Sequence, residues 1–504
     1  MHKKGKIYLD RHFEIGEIDK RIYSSMIEHM ERVVYGGIFE PDHELADEDG
    51  FRTDVIDLVK ELQIPMLRYP GGNFLSGYNW EDGIGPVEER PLRLDLAWIA
   101  EETNRIGTDE YLKWAKKTGT EVNMAVNLGT RGADAARNLV EYCNYQGDST
   151  WSRKRKENGS EEPYGIRTWC LGNEMDGPWQ ICHKTAEEYG RTAVEAGRLM
   201  KKVDKQIELV LCGSSNTTIS TFPQWDLSVL EEAYDIADYI SLHNYFSIVN
   251  NNMEDFLASN LEMEDQIDTI AAACDCIKTK VRSNKTINLS FDEWGIWNRE
   301  ETANRKKWKF DWDDKNAISE GSYSFADALL TGELLISFIN RADRVKIACQ
   351  AQLVNHLSLF NTVKNGPVWK QTIFYPFLYT SRYGRGTALR VSKESPVYDG
   401  QKHKNVPSIE TAAVVNDEKR TLTLFIVNRD PESDISAEIV LSGFESLREV
   451  EHILYRCDDL EAVNSAEHPD QVVPENVPVS EDIITCSYEA ELEKCTWHMI
   501  RFEY

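Results

Sequence analysis

The sequence predicts an α/β protein: a (β/α)8 TIM barrel over residues 19–385, followed by an antiparallel β-sandwich over residues 386–504. Two observations carry this expectation. Between residues 19 and 385, eight short apolar, β-rich runs alternate with amphipathic stretches of helical period, as in a parallel sheet wrapped by helices. After residue 386 the texture changes to apolar/polar alternation punctuated by Asn-Asp, Pro and Gly, as in antiparallel strands with one face on a core.

The elements follow in order. The opening GKIYLDRHFEIGEI is strand-like and precedes the first barrel run, so residues 1–18 are expected to add a strand to the sandwich. The eight barrel runs are IYSSMIEHM, ending near His29, then IPMLRYPGG, EVNMAVNLG, IRTWCLGNE, IELVLCGSS, DYISLHNYF, INLSFDEW and VKIACQAQLVN. Helices are expected in FRTDVIDLVKELQ, TDEYLKWAKK, DAARNLVEYC, TAEEYGRTAVEAGRLMKKV, MEDQIDTIAAACDCIKTKV and FADALLTGELLISFI. Eight units in one run, with no Gly-rich dinucleotide turn, favour a barrel over a doubly wound sheet.

Composition narrows the function classes. A chain of 504 residues exceeds one ordinary core, and 41% hydrophobic with 28% charged residues describes a globular enzyme-like protein rather than a disordered one. The net charge of −28 removes nucleic acid and anionic membranes from the partner classes, because Lys and Arg supply most of the affinity for phosphate. A neutral substrate fits. No apolar run reaches signal-peptide or membrane-span length, so a cytoplasmic protein with no membrane partner is expected. The ten cysteines lack zinc or redox spacing and read as reduced thiols; P-loops and helical His-Glu metal pairs are absent, so neither metal nor cofactor is expected.

Barrel enzymes work at the C-terminal ends of their strands. Here those ends carry Glu28, Arg68 with Asn73, Asn127, Asn173 with Glu174, Ser214 with Ser215, His243 with Tyr245, Glu293, and Gln352. A polar residue at one strand end is ordinarily a helix cap or a solvated loop group, and Asn127 and Ser214 fit that description equally well. Two ends carry a glutamate after a strongly apolar run, the fourth and the seventh. Glycosidic cleavage with retention needs such a pair: an acid to protonate the leaving oxygen and a carboxylate opposite it to attack the anomeric carbon. Glu174 is the expected acid/base, with Pro178 and Trp179 as an apolar wall, and Glu293 the expected nucleophile, hydrogen-bonded by Tyr245. Asp292 is a rival to Glu293, but strand alternation lets only one of them face the mouth; Asp176 reads as a loop carboxylate. In RYPGGNF, Arg68 at a buried strand end requires a carboxylate partner, for which Glu293 is placed, and the glycines serve a tight turn or a close approach. Trp98 and Trp297 are candidate sugar-stacking platforms. His29, His243 and His356 read as satisfied barrel-end histidines, and the stretch 306–314 as a rim loop.

The segments IYSSMIEHM, RYPGGNFLSGYNWEDGIGP, NMAVNLGTRG, WCLGNEMDGPWQ, DYISLHNYF and LSFDEWGIW together resemble the intracellular α-L-arabinofuranosidases of glycoside hydrolase family 51. The resemblance covers essentially the whole chain. It implies a jelly-roll-like sandwich, retention of configuration, no metal and a hexamer. It places the acid/base on Glu174 and the nucleophile on Glu293, with sugar-binding roles for Glu28, Arg68, Asn73, Asn173, Tyr245 and Gln352, His243 nearby, and Trp98 and Trp297 toward the aglycone. Its substrates are arabinose-containing oligosaccharides from arabinan or arabinoxylan. The chain departs from the family pattern at SLHNYF, at Gly295 and in AQLVNHLSLF, all read as positions on the pocket rim and therefore expected to bear on linkage preference. A related barrel glycosidase with another sugar, such as an endo-glucanase or β-xylosidase, and a catalytically inactive carbohydrate-binding protein are the competing readings.

Overall fold

The computed structural model describes residues 3–297 and 320–504. Each apolar run supplies one strand of a closed parallel barrel: in chain order Ser24–Met26, Met66–Tyr69, Glu121–Val126, Thr168–Leu171, Glu208–Leu211, Tyr239–Phe246, Asn288–Ile296 and Val345–Gln350. Strands buried on both faces read as continuous apolar runs, which is why alternation is absent from this half of the sequence. Met66, Ala125, Cys170, Val210, Tyr239, Ile347 and Cys349 fill the lumen together with Leu75, so the barrel is a packed core with its polar end above. The first strand is shorter than expected. Lys20–Tyr23 is a 3-10 turn capped by Asp19, and the strand stops at Met26, leaving Glu28 and His29 in the loop beyond it.

Helices follow the strands at Thr53–Glu61, Thr108–Thr118, Ala133–Asn144, Ala186–Val203, Gln224–Ala233, Asn260–Lys280, Phe325–Asn340 and Phe374–Tyr383. Among the described residues, three helices of eight residues or more were not legible in the sequence. FYPFLYTSRY has β-forming composition with an internal proline, yet is buried almost throughout, so tertiary packing overrides propensity. Thr150–Glu157 has almost no apolar face; the buried Arg155 anchors it on the carbonyls of Tyr142, Tyr145 and Ser160. The third, Gln224–Ala233, turns Trp225, Val229 and Leu230 inward.

Beyond the barrel, ten strands form one hydrogen-bonded sheet. The N-terminal strand Lys3–Glu17 lies within it, antiparallel to Thr387–Glu394 and parallel to Ile435–Ser442. Residues from both ends of the sheet path, Leu447 and Leu492 among them, share one core with Ile7, Leu424 and Phe502. The sheet therefore folds over on itself as a β-sandwich. Where it meets the barrel, a buried ionic cluster forms: Arg429 donates to Asn260, Glu333 and Glu410, while Lys393 donates to Glu410 and Glu264 accepts from Ser337. Three carboxylates face two cations. Burial pushes Glu333 up to about 8, with Arg429 opposing and Glu410 adding to the shift.

A glutamate that holds its proton to a higher pH when folded takes up a proton on folding, so its contribution to stability declines as pH rises from about 4.5 to about 8. Glu333→Gln removes that titration. The difference in thermal midpoint, variant minus parent, is expected to rise steadily between pH 5 and pH 8 in a melting series; a difference independent of pH would contradict this account of the cluster.

Candidate active site

The mouth of the barrel is organised on a buried guanidinium. Arg68, from the second strand, donates through Nη1 to Glu293 Oε1 at 2.7 Å and through Nη2 to Asn173 Oδ1 at 2.7 Å, while its Nε lies 3.4 Å from Asp292 Oδ2. Glu293 receives a second hydrogen bond from the Tyr245 hydroxyl, at 2.9 Å to Oε2. Burial pushes the Glu293 carboxyl up, but the His243 and Arg68 cations and these two hydrogen bonds outweigh it and hold the group below the ordinary glutamate value. Glu293 is thus an ionised, fixed carboxylate.

Glu174 stands opposite, at the end of the fourth strand. Gly172 and Glu174 both adopt left-handed backbone, with φ of 91° and 43°. For a residue with a Cβ this conformation costs on the order of 1–2 kcal/mol, a strain concentrated where the carboxylate must be aimed. His243 Nδ1 lies 3.1 Å from Glu174 Oε1 and 3.4 Å from Glu293 Oε2, and its Nε2 lies 3.8 Å from Asp292 Oδ1. Burial lowers the imidazolium, yet the charges of Glu293, Asp292 and Glu174, with the hydrogen bond to Glu174, push it up to about 9. His243 is a cation shared by both glutamates rather than a merely satisfied core histidine. Trp179 meets Glu174 through its indole N–H, 2.7 Å from Oε2, and the residue itself is exposed. The expected apolar wall is instead a hydrogen-bond donor.

Glu28 forms the third corner. It accepts from the Phe74 amide at 3.1 Å, from the Trp98 indole at 2.7 Å and from Gln352 Nε2 at 3.0 Å, and its own amide donates to Gln352 Oε1. Burial and the charge of Glu293 push it up to about 8 against these donors, so at neutral pH it carries a proton to offer. Gly72 lies directly under this carboxyl: a Cβ there would sit 2.0 Å from Glu28 Oε2, and its φ is 68°. The close approach read from RYPGGNF is therefore to Glu28. Asn73 Oδ1 accepts from Asn173 Nδ2 at 3.4 Å, and Trp98 is delivered by a hairpin of Arg93–Asp95 with Ala100–Glu102. Trp297 packs edge-on against Tyr245 and His356 at centroid distances of 5.6 and 5.9 Å.

Two expectations are corrected, on the seventh strand and on the departures at SLHNYF. Alternation does not separate Asp292 from Glu293: the seventh strand changes register against both neighbours in this region, a bulge that aims both carboxylates at Arg68 and His243. A signal was available, because the outer face of a barrel strand is covered by helices and would leave a buried, unpaired carboxylate. Asn127 accepts from the Gly129 amide and donates to the Tyr78 carbonyl, Ser214 is bound by Asp226, and Asp176 accepts from the Ser215 amide, all loop-holding roles. His29 is held between Glu102 and Tyr69, and burial lowers His356 to about 3. Two departures are not on the rim: Asn244 points outward to Gln266, and Phe246 is in the core. The rim loop read at 306–314 lies outside the described residues.

Glu174, His243 and Glu293 are the group of metal-compatible side chains that converges among the described residues, one donor atom from each within 4.8 Å of the others.

Comparison with known proteins gives a consistent picture. Residues 58–260 match the α-L-arabinofuranosidase 1 domain profile and residues 292–491 the α-L-arabinofuranosidase C-terminal domain profile. The chain is 54% identical over 503 residues to intracellular exo-α-(1→5)-L-arabinofuranosidase 1 of Bacillus subtilis, covering 99% of both, and 42% identical to an exo-α-(1→6)-L-arabinofuranosidase of Bifidobacterium longum, covering 98% of this chain and 96% of that one. Among solved structures, a family 51 α-L-arabinofuranosidase from Bifidobacterium longum superposes with a TM-score of 0.94 at 40% identity over the whole of both chains. The arabinose complex of the Thermotoga maritima α-L-arabinofuranosidase gives 0.88 at 30% identity, covering 99% of this chain and 100% of that one.

Replacing Arg68 with Met keeps the volume of the stem and takes from Glu293 and Asp292 the nearer of their cations. Removing one partner of a buried pair costs about 3–5 kcal/mol, so urea unfolding of Arg68→Met is expected to show a loss of that order. A loss below about 1 kcal/mol would show that the guanidinium is not what holds the two carboxylates.

Proposed function

The chain belongs to the α-L-arabinofuranosidases of glycoside hydrolase family 51, and from that premise we propose that it releases terminal non-reducing arabinofuranose from arabino-oligosaccharides with retention of configuration. The observation that carries this reading is the spacing of the two glutamates. An oxygen of Glu174 and an oxygen of Glu293 lie within 4.8 Å of each other at the ends of the fourth and seventh strands. Retaining glycosidases hold their carboxyls about 5–5.5 Å apart, inverting ones about 6.5–9.5 Å, to admit a water.

In the first half-reaction Glu293 attacks the anomeric carbon while Glu174 protonates the departing oxygen; in the second, Glu174 takes a proton from water as the hydroxide displaces Glu293. Arg68 and Tyr245 keep Glu293 ionised and aimed. Glu28 with Gln352, and Asn73 with Asn173, which shares Arg68 with Glu293, are read as the donors and acceptors for the hydroxyls of one small sugar, which supports exo action. Trp98 holds Glu28, and Trp297 and the exposed Trp179 border the aglycone side. The division into a catalytic barrel over residues 19–385 and a sandwich of 386–504 with 1–18 goes with this reading, as do short oligosaccharides met inside the cell. No helix among the described residues is long and apolar enough to cross a membrane.

Glu293→Ala is expected to lose at least about four orders of magnitude in kcat on nitrophenyl α-L-arabinofuranoside. Glu174→Ala should be slow on arabino-oligosaccharides yet accelerate with azide on the activated substrate. The corresponding xyloside and glucoside should turn over far more slowly with the parent enzyme. Full activity in either alanine variant, or a preference for the xyloside or glucoside, would sink the assignment.

A further inference from the structure

We propose that His243 is the proton store of this site: its imidazolium supplies the proton that Glu174 passes to the departing sugar oxygen and recovers it in the hydrolytic half-reaction. The inference rests on the assignment of Glu174 and Glu293 given above.

The geometry places one ring nitrogen against both carboxylates that change protonation or bonding during turnover. Nδ1 is 3.1 Å from Glu174 Oε1 and 3.4 Å from Glu293 Oε2. The charged groups against the ring are Glu174 from the loop after the fourth strand and Asp292 and Glu293 from the seventh; Tyr245, from the ring's own strand, donates to Glu293, and Arg68, from the second, pairs with the seventh-strand acids. Gln266 of the helix Asn260–Lys280 donates to the His243 carbonyl at 3.1 Å, which fixes the residue without competing for its ring. The ring is buried. Asp292 and Glu293 lie against both Arg68 and His243, and Glu174 lies against His243.

Glu293 is the largest charge favouring the imidazolium, so forming its ester withdraws the main hold on the proton. The steps then balance. The Nδ1–H bond breaks and an O–H bond forms on Glu174; Glu174 gives its proton to the glycosidic oxygen as the C1–O bond breaks and the bond from Glu293 oxygen to C1 forms. The alcohol leaves neutral, with His243 neutral and Glu174 ionised. In the second half, the oxygen of water bonds to C1 as the ester bond to Glu293 breaks; the proton from water passes to Glu174 and on to His243 as the charge of Glu293 returns. The nucleophile's own charge thus times the proton's release and return.

The test is a pH titration of the imidazole resonances in histidine-labelled enzyme, free and after stalling with a fluorinated arabinofuranosyl donor. The His243 signal is identified by its absence from His243→Gln or, should that variant not fold, by its selective shift in Glu293→Gln. The expected result is a His243 that is protonated at pH 7 in the free enzyme and titrates more than one pH unit lower in the stalled ester. A His243 that is neutral at pH 7 in the free enzyme, or whose titration is unchanged by the ester, overturns the proposal. Peptide mapping of the stalled enzyme separates the two levels: a label on Glu293 with an unmoved His243 refutes the proton store alone, and a label on another residue refutes the catalytic assignment beneath it.

Discussion

Arg68 enters the barrel mouth from the second strand with its guanidinium buried, and groups from two other elements meet on it: Asn173 from the fourth strand's loop, and Asp292 and Glu293 from the seventh strand. A buried cation is tolerated only where carboxylates surround it, and buried carboxylates only where a cation answers them. Each therefore fixes the other's position. Glu293 stays ionised because Arg68 and Tyr245 grip both its oxygens, and its charge in turn keeps His243 protonated and helps keep the proton on Glu28. Three titratable groups, two on strands and one in the loop after the first strand, are set by one ionic contact.

Around that contact the backbone departs from regular geometry in the places where chemistry requires it. The seventh strand bulges so that two consecutive acids face inward, Glu174 takes a left-handed conformation, and Gly72 passes under Glu28 at a distance no side chain permits. The closed barrel supplies the rigidity that sustains these local costs, with its lumen filled below the site and helices outside. The sandwich, locked to the barrel by Arg429 and its three neighbouring glutamates, braces the side of the barrel formed by the helices Asn260–Lys280 and Phe325–Asn340.

Much of this was readable in the chain itself, for physical reasons. Parallel strands buried on both faces leave unbroken apolar runs, and the residue after each run marks the mouth, so Glu28, Arg68, Glu174, Tyr245, Glu293 and Gln352 could be named from their positions. What the sequence did not carry was direction. The Trp179 Nε1–H pointing at Glu174, the inward turn of both Asp292 and Glu293, and the outward turn of Asn244 depend on a bulge and on loop torsions that leave no local pattern. Asn127 and Ser214 looked like mouth residues because a loop-stabilising amide and a catalytic amide occupy the same sequence position; only their partners, Tyr78 with Gly129 and Asp226, tell them apart. The helix FYPFLYTSRY was hidden by a composition whose β preference burial overrode.

The central claim is that Glu174 and Glu293 stand close enough for a covalent double displacement and too close for a water to attack directly. The most direct measurement is the anomeric configuration of the first sugar released, followed by NMR before mutarotation. The account predicts that α-arabinofuranose appears first and the β anomer only as the solution equilibrates. Initial release of β-arabinofuranose would mean a single inverting displacement and would contradict the geometry on which the whole site is read.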